Sequence, residues 1–233
     1  MFERLAPEHG VRVELIDVAL SRSTAGLASG SRCVSVDHRT PVTAAALDAL
    51  SATGVTHLTT RSVGFDHIDV DHARTVGIAV DNVPYEPDGV ADFTVMLILM
   101  ALRGAAPMIR RVDAHDFRLP GERGRELREL TVGIVGVGRI GSAVIDRLAG
   151  FGCRLLVHDR RAATLPLDDL LAASDVVTLH TPLTPDTHHL LDRRRIALLK
   201  LGAVVVNTGR GALVDSAALL EALEDGRVSA AAL

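Results

Sequence analysis

Apolar positions in this chain gather in short runs rather than alternating with polar ones. Segments 11–16, 32–36, 55–60 and 77–80 are rich in Val, Ile and Leu, and a second set follows at 132–137, 154–158, 175–180 and 203–207. Unbroken apolar runs of this kind are how strands read when both faces of a parallel sheet are covered. Between them, 42–52, 142–150 and 216–224 carry apolar residues three and four apart, the period of an amphipathic helix. Strand and helix alternate almost throughout, which predicts an α/β fold built on parallel sheets. Segment 90–102 departs from the pattern by being apolar on every side, so it predicts a helix buried all round. It follows Asn82-Val83-Pro84-Tyr85-Glu86-Pro87-Asp88-Gly89, a stretch dense in turn formers. That stretch reads as a junction between two lobes, 1–86 and 87–233, with the helix packed between them.

The two ends add a further expectation. Residues 2–9 read as the closing turns of a helix stopped by Gly10, and 228–233 read as the opening of a strand. A lobe that opens on a helix and a lobe that closes inside a strand would leave apolar edges uncovered. The expectation is a chain cut from a longer one.

Composition narrows the function. At 233 residues and 48% hydrophobic content the chain is long and apolar enough to build a core, which excludes general disorder. Its longest unbroken apolar run, 95–102, is far short of the ~20 residues a bilayer span needs. The opening Met-Phe-Glu-Arg lacks the basic-then-apolar order of a signal peptide. A net charge of -4 offers no electrostatic footprint for nucleic acid. Cys33 and Cys153 are too few for a disulfide scaffold or a cysteine zinc cluster, and both read as small buried hydrophobes. The pair His188-His189 has no ligand spacing around it, and neighbours on a helix point apart, so no metal site is expected. A soluble cytoplasmic protein is the resulting expectation.

The candidate chemistry begins at Gly136-Val137-Gly138-Arg139-Ile140-Gly141, which fits G-x-G-x-x-G. The motif follows an apolar strand and opens a helix, and the next strand ends in Asp159, eighteen residues after Gly141. This is the context a dinucleotide site requires. Gly136 permits the tight turn, Gly138 lets the backbone approach a pyrophosphate, and Gly141 lets helix and strand pack closely. Asp159 accepts from the adenosine ribose hydroxyls and repels a 2′-phosphate, which favours NAD. Arg160 and Arg161 keep NADP open. Further on, Val204-Val205-Val206-Asn207-Thr208-Gly209-Arg210-Gly211 ends a buried strand with an arginine between two glycines. Ligands in open α/β sheets sit beyond the carboxyl ends of strands, where a guanidinium can hold a carboxylate through two bonds. The residues alone leave Arg210 equally a solvated surface arginine. The strand and loop through His180-Thr181-Pro182 read either as a ribose-side wall or as an ordinary connection. The turn Thr60-Arg61-Ser62-Val63-Gly64 offers backbone N–H groups to an anion, though alone it reads as a plain strand-helix link.

Taken together, these motifs resemble the D-isomer-specific 2-hydroxyacid dehydrogenase family, and the likeness covers nearly the whole chain. The phrases Thr60-Arg61-Ser62-Val63-Gly64, Met96-Leu97-Ile98-Leu99-Met100-Ala101 and Arg118-Leu119 with Arg123-Gly124-Arg125-Glu126-Leu127-Arg128 look like its branch of D-lactate dehydrogenases from vancomycin-resistance operons, which reduce pyruvate. The resemblance implies two Rossmann-like lobes, a flavodoxin-like substrate lobe and an NAD-binding lobe, and a homodimer. It implies that Arg210 is the catalytic arginine that clamps the keto-acid carboxylate, that Val63 and Gly64 hold the same carboxylate through their amides, and that Tyr85 is a substrate-side tyrosine. It places Arg139, Ile140, Asp159, Thr181, Pro182, Thr187, Thr208 and Gly209 at cofactor contacts. The chain departs from the branch at Glu86, where serine is usual. The family's proton-donating histidine and the glutamate that orients it follow the arginine, and no histidine here matches that position. The resemblance therefore implies a chain without appreciable turnover. Dehydrogenases of glycerate or phosphoglycerate and a non-catalytic NAD-sensing module stand as alternatives.

Overall fold

The computed structural model describes residues 2–83, 86–118, 124–162 and 164–233. The chain divides into two compact units, Met1–Tyr85 and Glu86–Leu233.

In the first unit, α1 (Phe2–Leu5) tightens into a 3₁₀ turn, and Gly10 ends it with a φ of 62°, a left-handed geometry that glycine adopts without strain. Strands β1 (Cys33–Val36), β2 (His57–Thr60) and β3 (Ala79–Asp81) lie parallel in that order. The crossovers are α2 (Ala44–Ala52) and α3 (Val70–Thr75). Leu47, Leu50, Leu58 and Ala73 are fully buried and form the centre of the core. The expected strand at 11–16 does not form. Val11, Leu15 and Ile16 are exposed, and the segment joins no ladder among the described residues. Its composition suits a strand, but hydrogen bonds to a neighbour complete one, and composition says nothing of the neighbour. Cys33 is exposed rather than buried, because β1 lies at the edge of the sheet.

The second unit opens with α4 (Asp88–Leu102) and α5 (Ala105–Asp113). It continues as β4 (Thr131–Val135), α6 (Arg139–Ala149), β5 (Arg154–His158), α7 (Leu167–Ala173), β6 (Val176–Leu179), α8 (Arg193–Leu198), β7 (Ala203–Asn207), α9 (Ser216–Glu224) and β8 (Val228–Ala232). The five strands are parallel in the order β5-β4-β6-β7-β8. Every residue of β4, β6 and β7 is buried, as the unbroken apolar runs predict. Side chains alternate between two cores, as the two-residue period of a strand requires. Val205 joins Leu170, Leu171, Ile196 and Leu219 of α7, α8 and α9, whereas Val204 and Val206 join Ile98, Val144 and Leu148 of α4 and α6. The chain runs outward from β4 to β5 and then returns across β4 to β6. The order therefore reverses between β4 and β6, and such reversals open a crevice at the carboxyl ends of the strands.

Helix α4 is buried along one face rather than all round. Ala91, Thr94, Val95, Ile98 and Leu102 form a single stripe at helical spacing, while Phe93 remains 50% exposed and Met96 42%. The near-continuous apolar sequence permits burial on every side, but one packed stripe is all that α6, β7 and β8 cover, and Asp92 stays exposed and paired with Arg147. At the amino end of the sheet, Asp175 accepts from the Thr131 amide at 2.8 Å and pairs with Arg125 at 3.2 Å and Lys200 at 3.3 Å. No single helix among the described residues is long and apolar enough to cross a membrane.

Candidate functional site

Where β4 ends, the chain must turn at once into α6. Gly136 does this with a φ of 94°, and a Cβ there would stand 2.7 Å from the His180 carbonyl oxygen. A Cβ on Gly141 would collide with the carbonyl oxygen of Gly136. Gly138 is different, since a Cβ there would meet no protein atom within 4 Å. The protein does not need glycine at that point for its own packing, and the bare Cα faces open space. Gly138 is also the N-cap of α6 and brings no side-chain cap, whereas Asp192 and Asp215 cap α8 and α9. The first-turn N–H groups of α6 therefore keep their hydrogen-bonding capacity at the positive end of the helix dipole. An open approach and uncapped donors are what a pyrophosphate requires. Arg139, the first helical residue, pairs with Glu86 at 3.2 Å, both side chains being exposed. Ile140 packs partly into the core instead of lying free on the surface.

Asp159 follows β5 and is tied to this turn. Its carboxylate accepts from the Val137 amide at 2.8 Å and from the Arg161 amide at 2.8 Å. The Arg161 bond first, then the Val137 bond, hold its carboxyl below the usual range. Each oxygen retains a lone pair for a further donor such as a ribose hydroxyl. Arg160 is engaged elsewhere, by Asp186 at 2.8 Å.

Beyond β6 come His180, Thr181 and Pro182. The His180 amide donates to the Val135 carbonyl at 2.7 Å, and its Nε2 shares a hydrogen bond of 2.9 Å with Thr178 Oγ1. Burial pushes the His180 imidazole down to about 4, so the ring is neutral at physiological pH. Thr187 donates to the Pro182 carbonyl at 2.7 Å and accepts from the Thr184 amide at 2.7 Å, which shapes the loop. The histidine pair lies in a turn rather than on a helix. His189 takes a φ of 50°, and the two rings stack with centroids 4.0 Å apart instead of diverging. Among the described residues no three His, Cys, Asp or Glu side chains gather as metal ligands.

Beyond β7, the buried Asn207 clamps the turn that carries Thr208, Gly209 and Arg210. Its Oδ1 accepts from the Gly209 amide at 3.0 Å, and its Nδ2 donates to the Arg210 carbonyl at 2.8 Å. Arg210 is half-buried at the start of a 3₁₀ turn. A Cβ on Gly209 would lie 3.8 Å from the Thr181 carbonyl oxygen, which puts the β6 and β7 loops side by side. A groove of about 460 Å³ runs past Gly89, Val90, Phe93, Asn207, Thr208 and Gly209. The glycine turn, Asp159, Thr181, Pro182, Thr187, Thr208, Gly209 and Arg210 thus all follow the carboxyl ends of four adjacent strands.

In the first unit, the turn after β2 is held by its carbonyls. Ser62 Oγ donates to the Gly64 carbonyl at 2.6 Å, and Asn82 Nδ2 donates to the Val63 carbonyl at 2.6 Å. Tyr85 lies outside the described residues.

Three residues of the second unit matter to the site in roles that the sequence did not give them. Asn207 clamps the arginine turn, His180 backs the glycine turn, and Thr94 reaches Thr208 across 2.9 Å. A polar residue closing an otherwise apolar strand or helix is the signal that marks Asn207 and Thr94. For His180 only its place at a strand end gives a hint.

Residues 95–233 match the family described as D-isomer specific 2-hydroxyacid dehydrogenase, NAD binding domain. The whole chain is 48% identical to a D-specific alpha-keto acid dehydrogenase of Enterococcus faecium, covering 73% of that protein. It is 36% identical, over 96% of its length and 70% of the relative's, to a D-lactate dehydrogenase of Lactiplantibacillus pentosus. Among solved structures, it resembles D-lactate dehydrogenase from Aquifex aeolicus complexed with NAD and lactic acid. That likeness has a TM-score of 0.90 and 33% identity, covering 99% of this chain and 72% of the other.

Proposed function

The chain belongs to the D-isomer specific 2-hydroxyacid dehydrogenase family, and from that premise we propose that it serves the reduction of pyruvate to D-lactate with NADH. The observation that carries the reading is the Asn207 clamp. It sets Arg210 on the same sheet edge as the open, uncapped glycine turn. A guanidinium there forms two parallel hydrogen bonds to the carboxylate of a 2-oxo acid and draws charge from its carbonyl. Gly136, Gly138 and Gly141 seat the pyrophosphate at the start of α6, Asp159 takes the adenosine ribose, and Thr181, Pro182, Thr187, Thr208 and Gly209 line the remainder. When bound, the dinucleotide supplies the hydride that carbonyl reduction requires. The alkoxide also needs a proton, and this reading assigns that step to no residue of 1–233. In the first unit, the Val63 and Gly64 amides serve as donors to an anion, and Tyr85 as a substrate-side residue.

The finer parts of the reading are a D-lactate supply for cell-wall precursors in vancomycin resistance, a cytoplasmic location and a homodimer. The first is supported by the branch phrases at 60–64, 96–101 and 123–128, and the last by the exposed Phe93 and Met96 of α4.

The test is to add pyruvate, hydroxypyruvate and branched 2-oxo acids in turn to the NADH-loaded protein and follow NADH fluorescence and oxidation. Pyruvate should give the largest response. Arg210→Ala should remove that response while NADH still binds. A response that survives Arg210→Ala refutes the assigned role, and a stronger response to another acid moves the substrate.

A further inference from the structure

Thr94 is the one polar residue in the buried stripe of α4, and it is fully buried. Its hydroxyl donates to the Val90 carbonyl at 2.8 Å, one turn back along the helix. A hydroxyl has one hydrogen and two lone pairs. With its hydrogen committed to Val90, Thr94 Oγ1 meets Thr208 Oγ1 at 2.9 Å only as an acceptor. The hydrogen in that second bond therefore belongs to Thr208. Thr208 lines the groove after β7 and keeps only lone pairs for anything bound there.

The strand order tells which part of a dinucleotide this concerns. Asp159 follows β5 and the glycine turn follows β4, whereas Thr208 follows β7, on the far side of β6. Strands are spaced by about 4.8 Å, so Thr208 stands roughly 10 Å along the edge from the glycine turn. The adenosine end and the pyrophosphate belong to the β5–β4 side, and Thr208 faces the other half.

We propose that Thr94 is a positioning residue that turns Thr208 into a pure acceptor toward the nicotinamide half of the dinucleotide. The group it meets there is a donor, either a ribose hydroxyl or the carboxamide amine. The inference rests on the NAD reading of the second unit. It gives a buried threonine, remote from the glycine turn, control over one half of the ligand alone.

The experiment titrates the full chain and its Thr94→Val and Thr94→Ser variants with NADH, read by NADH fluorescence, and with ADP, read by competition. Valine copies the shape of threonine and suits an apolar stripe, and unchanged ADP affinity reports an intact fold. One net hydrogen bond corresponds to about 1 kcal/mol, or roughly fivefold in affinity. Thr94→Val should weaken NADH about fivefold and leave ADP unchanged, and Thr94→Ser should bind both as the parent does. The inference is overturned if Thr94→Val binds NADH like the parent, if it loses ADP and NADH alike, or if serine fails to restore binding. A parent chain that binds ADP and NADH equally, or neither, overturns the site reading itself.

Discussion

Acidification provides a test of how the glycine turn is supported. The His180 carbonyl lies against Gly136, and its imidazole is buried beside Thr178. Burial lowers the imidazole from the ordinary 6.5 to about 4 in the folded protein. Above the ordinary value neither the folded nor the unfolded chain protonates this ring, so it has no effect on stability. As pH falls through that window, the unfolded chain takes up the proton and the folded chain does not, so folding loses about 1.4 kcal/mol for each pH unit. Across the window the loss approaches about 3 kcal/mol, a large share of the 5–15 kcal/mol typical of whole domains. The assay is urea denaturation of the parent and of His180→Gln at steps from pH 7 down to pH 4.5. Carboxylates and the other histidines titrate in both proteins, so the difference in slope isolates His180. The glutamine variant should lose stability with acid less steeply by about 1 kcal/mol or more per pH unit. Parallel curves would refute the argument that this ring is held neutral by burial.

Two glycines of the same motif should separate folding from binding. Gly138→Ala should leave the melting temperature unchanged yet weaken NADH, because its methyl enters the space a phosphate approaches. Gly141→Ala should lower stability by about 1–3 kcal/mol, since the collision is with backbone. Differential scanning calorimetry beside NADH titration checks both, and equal behaviour of the two variants would contradict the assignment. Asp159→Ser should cost NADH about tenfold, the scale of a hydrogen bond to a charged group, and should raise NADPH relative to NADH. An unchanged ratio of the two affinities, measured by fluorescence titration, would remove Asp159 from cofactor choice.

Much of the second unit was legible in sequence because its central strands, β4, β6 and β7, are buried along their whole length. The runs at 154–158 and 203–207 coincide with β5 and β7, and the glycine motif announces its own turn through collisions that only glycine avoids. The first unit reads less well where pairing decides. Segment 11–16 has a strand's composition without a ladder, and Cys33 sits on an edge that no pattern of residues reveals. Segment 90–102 reads as apolar on nearly every side, so composition alone gives no packing direction; the exposed Asp92, paired with Arg147, and the buried Thr94 show which face of α4 packs. Arg210 was visible as an arginine between glycines, but its clamp was not, since Asn207 acts by reaching its own loop's backbone at a distance of three residues. The Thr94–Thr208 bond spans 114 residues and is a product of tertiary packing. Local spacing has no means of encoding it.

Lys200 is the only lysine in the chain, and its pairing with Asp175 holds it at the amino end of the five-stranded sheet. Every group assigned to the dinucleotide lies at the opposite, carboxyl end. Amine chemistry on this protein thus has a single internal address, and it faces away from the ligand edge. A biotin or fluorophore attached through Lys200 would orient the second unit on a sensor surface with its crevice turned outward. The titrations above could then be run on immobilised protein without obstructing what they measure.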